Sequence, residues 1–133
     1  MRRSDQRRDA VFACYQQDVT DRPLTTLLAE SRPFTIELAQ GVEAHRAELD
    51  AIIGRHAKGW TIERIAPLER AIMRIALLEM LHPDVAPADT PIPAEGAIDE
   101  AVETAKKFCG AEAPGFVNGI LGSAAKAMKA DVS

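Results

Sequence analysis

Phe34, Leu38, Val42, His45, Leu49, Ile52 and His56 recur at spacings of four and three, a period that only an α-helix turns into one continuous face. The signals on either side predict more helices. A first runs from about Ser4, the expected N-cap, to about Val19, with Val11, Cys14 and Tyr15 inward. Asp21-Arg22-Pro23 restarts the chain into a short helix with Leu24, Leu27 and Leu28 as its stripe. The long helix ends near Gly59, and Trp60 and Thr61 lead into a turn holding Ile62 and Ile65. Pro67 then starts a helix to Leu81 that is apolar on most of its circumference and so is expected to be central. Pro83, Pro87, Pro91 and Pro93 exclude helix from residues 83–93, which read as an extended connection. Beyond it, Ile98, Ala101, Val102 and Ala105 form a stripe with Gly110 as C′ residue, and Val117, Ile120, Leu121, Ala124 and Met128 face inward from a last helix after Pro114. With 47% hydrophobic but only 5% aromatic residues, the composition favours helix over strand. A chain of 133 residues is expected to form one domain, residues 1–133, with an N-terminal half to about 59 and a C-terminal half from about 60.

Catalytic and metal chemistry find little support in this pattern. There is no G-x-S-x-G elbow and no Gly-Lys-Ser or Gly-Lys-Thr after the glycines Gly115, Gly119 and Gly122, which read instead as close helix packing and a flexible helix entry. His45 and His56 lie about three turns apart on one face, too far to share an ion, and His82 has no identifiable partner, so no metal or cofactor is expected. Asp99, Glu100 and Glu112 read as solvated surface. Cys14 and Cys109 read as buried, reduced thiols. No apolar stretch follows the N-terminal arginines and no run of eighteen apolar residues occurs, so the chain is expected to be soluble and cytoplasmic. The distribution of charge is more informative. Residues 1–8 carry Arg2, Arg3, Arg7 and Arg8 against Asp5, net +3, so with −4 overall the remainder carries −7. On a helix Arg3, Arg7 and Arg8 fall in neighbouring turns, an arrangement that suits either successive phosphates of one strand or a solvated N-terminal arm.

Three stretches resemble the NusB family in order. Trp60 to Ile65 followed by Leu68 to Leu81 is similar to the family's tryptophan and its E-R-x-x-x-R-x-A-x-x-E-L helix, and Ile98 to Phe108 to its I-N-E-A-V-E-L-A-K-x-F helix. Phe116-Val117-Asn118-Gly119-Ile120-Leu121 matches its F-V-N-G-[IV]-L signature unchanged. The N-terminal half resembles the family only through Arg7-Arg8, Ala10-Val11 and Tyr15. The chain departs from the pattern at Leu78, where Tyr is common, at Asp99 for Asn, at Pro114 for a Ser cap and at Gly122 for Asp.

The resemblance implies an all-α NusB-like domain of about seven helices in two small antiparallel bundles. It implies transcription antitermination without catalysis, through binding of boxA RNA in nascent ribosomal RNA operon transcripts together with NusE, a small ribosomal-subunit protein that links to the RNA polymerase antitermination complex. Matched positions place Arg2, Arg3, Arg7, Arg8, Lys106, Lys107, Phe116 and Asn118 on RNA, and Tyr15, Asp18, Arg74 and Glu79 at or near the NusE contact. Phe116 also reads as a core aromatic of the last helix. Two other readings compete. One is a protein-only helical adaptor, in which the arginine tip is incidental; the other is the N-terminal domain of a ribosomal RNA methyltransferase, against which stands the lack of a glycine-rich cofactor unit before Ser133. A homodimer is compatible with the same periodicities, because a helix face buried in a bundle and one buried between copies look alike.

Overall fold

The computed structural model describes residues 2–86 and 91–132, the last two by backbone alone. Among them are six α-helices: α1 Arg3–Thr20, α2 Leu24–Leu27, α3 Pro33–His56, α4 Pro67–Leu81, α5 Ala94–Phe108 and α6 Ala113–Val132, with a 3-10 turn at Ile62–Arg64. No strand is present among the described residues, and none of the described helices is long and apolar enough to cross a membrane. Pro33 and Pro67 open α3 and α4, where the missing proline N–H costs nothing. The turn after α1 places Asp21 in the left-handed region at φ 57°, and Gly59 takes φ 81° between α3 and the 3-10 turn.

Every residue from Ala71 to Leu78 of α4 is buried, which makes it the central helix as expected. It packs against α1, α3, α5 and α6, while α1 also lies on α3 and α5 on α6. One apolar core runs through both halves of the chain, with Leu38, Leu49 and Ile53 of α3, Ile72, Met73 and Leu77 of α4, and Val117 and Leu121 of α6 fully enclosed.

Several local expectations need correction. Ser4 does not cap α1; Arg2 occupies the N-cap without a side-chain bond, and Ser4 Oγ donates across the fold to Glu100 Oε1 at 2.6 Å. Glu100 is therefore tied to α1, whereas Asp99 and Glu112 are exposed as read. The inner stripe of α3 is completed by Ile53, which the core encloses fully, while Ile52 packs on the core's edge and His56 is only partly buried. Gly110 is not left-handed, because α5 ends in extended backbone at Cys109. Gly115, Gly119 and Gly122 have open space where a Cβ would stand, so they do not serve close packing. The tight glycines are Gly41, whose Cβ would lie 2.5 Å from Val85 Cγ1, and Gly96, whose Cβ would lie 2.8 Å from Ile92 Cγ1. Nor are residues 83–86 simply extended: the Val85 N–H donates to the His82 carbonyl at 3.0 Å and Ala86 is buried. The rest of the proline-rich reading falls partly on 87–90, outside the described residues. Cys14 is a free, buried thiol whose pKa burial pushes up to about 12; Cys109 is free but only partly buried.

Candidate nucleic-acid interface

A helix turns about 100° per residue, so Arg3 and Arg7, four apart, share a side of α1 while Arg8 points a quarter-turn away. Arg3 and Arg7 stand over the Phe34 ring of α3, their guanidinium carbons 4.2 and 5.4 Å from its centroid. Arg7 goes deeper, its Nε donating to both carboxylate oxygens of Glu79 at 2.8 and 3.0 Å. The two side chains are 12% and 10% exposed, which makes this a nearly enclosed ion pair between α1 and α4. Burial holds the Glu79 carboxyl above its usual range, the bond and charge of Arg7 oppose that rise, and Glu100 adds to it.

Arg8 takes the other direction, its guanidinium 5.6 Å from the centroid of Phe108 at the end of α5, and Phe108 in turn meets the Phe12 ring edge-on at 5.0 Å. Phe108 remains 44% exposed. Arg2, largely free at 84% side-chain exposure, joins Arg8 and Lys107 along an open groove of about 420 Å³ between the start of α1 and α5. Asp99, Glu100 and Glu103 line the same groove, so its cations are set among carboxylates. Lys106 is exposed and 3.5 Å from Glu103 Oε1.

Phe116 and Asn118 lie elsewhere. Phe116, at the first turn of α6, is half-buried and meets the exposed Trp60 ring edge-on at 6.0 Å. The two rings, with Arg64, Ile65, Ala66, Glu69, Glu112 and Ala113, line a second groove of about 290 Å³ that shares no residue with the first. Asn118 is exposed two residues further on.

The four residues matched to a protein contact separate as well. Arg74 is only 3% exposed; its Nε and Nη2 donate to Asp50 at 2.7 and 3.0 Å, and its Nη1 to Asp18 Oδ2 at 2.7 Å. Arg46 also donates to Asp18, and Arg70 approaches it to 3.8 Å. Burial alone would lower the Arg74 pKa, but the bonds and charges of Asp50 and Asp18 overcome it and hold the guanidinium charged. Glu79 belongs to the Arg7 pair on another side of α4, and Tyr15 is half-buried against the core.

Sequence reasoning missed Asp50, Arg46 and Arg70 of this network, the platform of Phe108 under Arg8, and Trp60 beside Phe116. An arginine within the otherwise apolar run Ala71–Leu78 was a usable signal, because a guanidinium there must find carboxylates. Which carboxylates those are depends on the tertiary fold.

Residues 4–126 match the NusB family. The transcription antitermination protein NusB of Rubrobacter xylanophilus (strain DSM 9941 / JCM 11954 / NBRC 16129 / PRD-1) is 41% identical over 128 residues, covering 91% of this chain and 88% of that protein. The fold is similar to that of T. maritima NusB, with a TM-score of 0.82 at 28% identity over 95% of this chain and 92% of the other. It is also similar to one chain of the crystal structure of the antitermination factors NusB and NusE in complex with dsRNA, with a TM-score of 0.77 over 94% of this chain and 96% of that one; at 24% identity this is a likeness of fold alone. A family match running almost from end to end, with a close relative over the same span, establishes that the chain belongs to the NusB family.

Proposed function

We propose that this chain is a non-catalytic transcription antitermination factor that binds boxA RNA in nascent transcripts together with NusE. The observation that carries the reading is the family match over residues 4–126, with a 41% identical relative named for antitermination. The geometry supports a division of labour among the matched residues. Arg2, Arg3, Arg8, Lys106 and Lys107 keep their charge near solvent around the start of α1 and the end of α5, where they meet RNA phosphates. Phe116, with Trp60 against it, offers an aromatic edge beside the exposed amide of Asn118, a combination suited to an unstacked base. Arg7, Asp18, Arg74 and Glu79 act from within, fixing α1 and α3 against α4, while Tyr15 contributes to the NusE surface. Binding to nascent transcripts implies a cytoplasmic site of action.

The test is a titration of boxA-like RNA with the full chain, with and without NusE, at two salt concentrations. Salt-dependent binding that tightens when NusE is present is expected. Binding to NusE with no RNA affinity in either mixture would replace this reading with the protein-only adaptor.

A further inference from the structure

Gly41, His45 and Glu48 follow one another along one side of α3 at spacings of four and three. His82, the residue that ends α4, is laid across that side. Its ring stacks on His45 at 4.0 Å between centroids and 20° between planes, and its Nε2 lies 2.5 Å from Glu48 Oε1. His45 Nδ1 is 3.8 Å from the same oxygen. One ligand atom from each of the three residues lies within 4.8 Å of the other two.

Packing holds this arrangement in place. The His82 N–H donates to the Leu78 carbonyl at 2.7 Å, and its own carbonyl accepts the Val85 N–H at 3.0 Å. Val85 in turn fills the space left by the missing Cβ of Gly41, one turn before His45. The Gly41–Val85 contact thus holds the backbone after His82 against α3, beside the ring's own contacts with His45 and Glu48.

We propose that His45, Glu48 and His82 form a site for a borderline divalent transition-metal ion of the zinc class. Two imidazoles and one carboxylate are a nitrogen-rich donor set, suited to zinc and its neighbours, whereas magnesium and calcium favour oxygen alone. Ligands at ordinary zinc distances around a tetrahedral ion stand roughly 3.3 Å apart; the separations from Glu48 Oε1 are 2.5 and 3.8 Å, and binding turns the stacked rings of His45 and His82 so that their in-plane lone pairs converge on the ion. Three protein ligands leave a fourth position for water, and side-chain exposures of 35%, 50% and 30% leave the ion a path from solvent. Occupancy ties the end of α4 to α3. Nothing in the RNA-binding reading uses these three residues.

The test is a calorimetric titration of ZnCl2 into the chelator-treated full chain, with the imidazole resonances of its three histidines followed in parallel. One zinc per chain is expected, shifting the rings of His45 and His82 together and leaving His56, which is bonded to Ser123 Oγ, in place. His45→Ala and His82→Ala should each weaken binding by at least about ten-fold with helix content unchanged. Glu48→Gln should weaken it less, and MgCl2 should give no event. Equal zinc uptake by wild type and the His45→Ala/His82→Ala double variant, a response from His56 alone, or no saturable binding would each overturn the proposal.

Discussion

Arg74 and the arginines that open α1 occupy two regions that differ in depth and in partners. Arg74 lies inside the bundle, 3% exposed, with both edges of its guanidinium used by Asp18 and Asp50. Arg2 and Arg3 ride on the opening turns of α1, held only by Asp5 or an aromatic ring and otherwise near water, while Arg8 lies part-buried between Asp5 and the Phe108 ring. Arg7 stands between these extremes, next to the tip in sequence yet bonded to Glu79 beneath it. A guanidinium taken out of water must be matched by fixed carboxylates, and becomes architecture; one left in water keeps its charge available to a polyanion. Depth, rather than the arginine cluster as such, divides the positions that organise the fold from those whose charge stays open to a polyanion.

The sharpest way to break this contrast is Arg74→Met. It leaves Asp18, whose side chain is 5% exposed, facing Asp50 with only the flanking Arg46 and Arg70 as cations. A loss of about 3–5 kcal/mol in urea unfolding is expected, and adding Asp18→Asn should recover part of it because the two sites share one network. A loss below about 1 kcal/mol would place Arg74 in the same class as a surface arginine.

Arg7→Met should cost less, about 2 kcal/mol at neutral pH, because Arg7 has one carboxylate partner where Arg74 has two, and its side chain is 12% exposed against 4%. The pH dependence carries the diagnosis. Burial raises the folded-state pKa of Glu79 above 4.5, so the folded protein keeps that proton to higher pH than the unfolded chain. The contribution is fully present below 4.5 and is lost as pH rises through the folded pKa. Removing Arg7, which opposes the rise, should widen that window. Arg7→Met should therefore recover stability relative to wild type as pH falls toward 4.5, and Arg7→Met/Glu79→Gln should lack that recovery. NusE binding by Glu79→Gln, measured where the variant is folded, separates a partner contact from this internal role.

How much of this was legible beforehand depends on the separation of the partners in sequence. The α4 run Ala71–Leu78, the proline-opened helices and the buried Val117, Ile120 and Leu121 of α6 all follow from local periodicity. Arg74 with Asp18 and Arg7 with Glu79 join positions 56 and 72 residues apart, and no local pattern announces such a pair. His82 was read without a partner for the same reason, since Glu48 lies 34 residues away on another helix. The glycines mislead in both directions. Gly115, Gly119 and Gly122 look like a packing motif and face open space, while the isolated Gly41 admits Val85.

Phe116→Ala probes the aromatic corner, where the same contrast applies to a ring. A half-buried Phe116 should cost less than about 2 kcal/mol of folding free energy when truncated, against about 3–5 kcal/mol for a fully buried ring. RNA affinity should fall about ten-fold, within the range of one lost base stack. A variant that unfolds readily but binds RNA normally while folded would assign Phe116 to the core. Trp60→Ala, at the exposed side of the pair, should move stability less still.

The smallest effect belongs to Lys107→Ala, and it sets the lower edge of the contrast. Lys107 is exposed, lines the groove with Arg2 and Arg8, and has no ion-pair partner among the described residues, whereas Lys106 stands near Glu103. Folding free energy should change by less than about 0.5 kcal/mol. If Lys107 neutralises one phosphate of a single strand, its loss flattens the plot of log affinity against log salt by about 0.7. Arg2→Ala, Arg3→Ala and Arg8→Ala should each act alike, and combining them with Lys107→Ala should add their increments, because each lost phosphate contact removes its own share of counterion release. Arg7→Met should leave the slope nearly unchanged despite its larger effect on stability, since Glu79 already neutralises it. A slope that responds to Arg7 as strongly as to Lys107 would mean that Arg7 leaves Glu79 for RNA, and the division between buried and exposed cations would then hold only for the unbound protein.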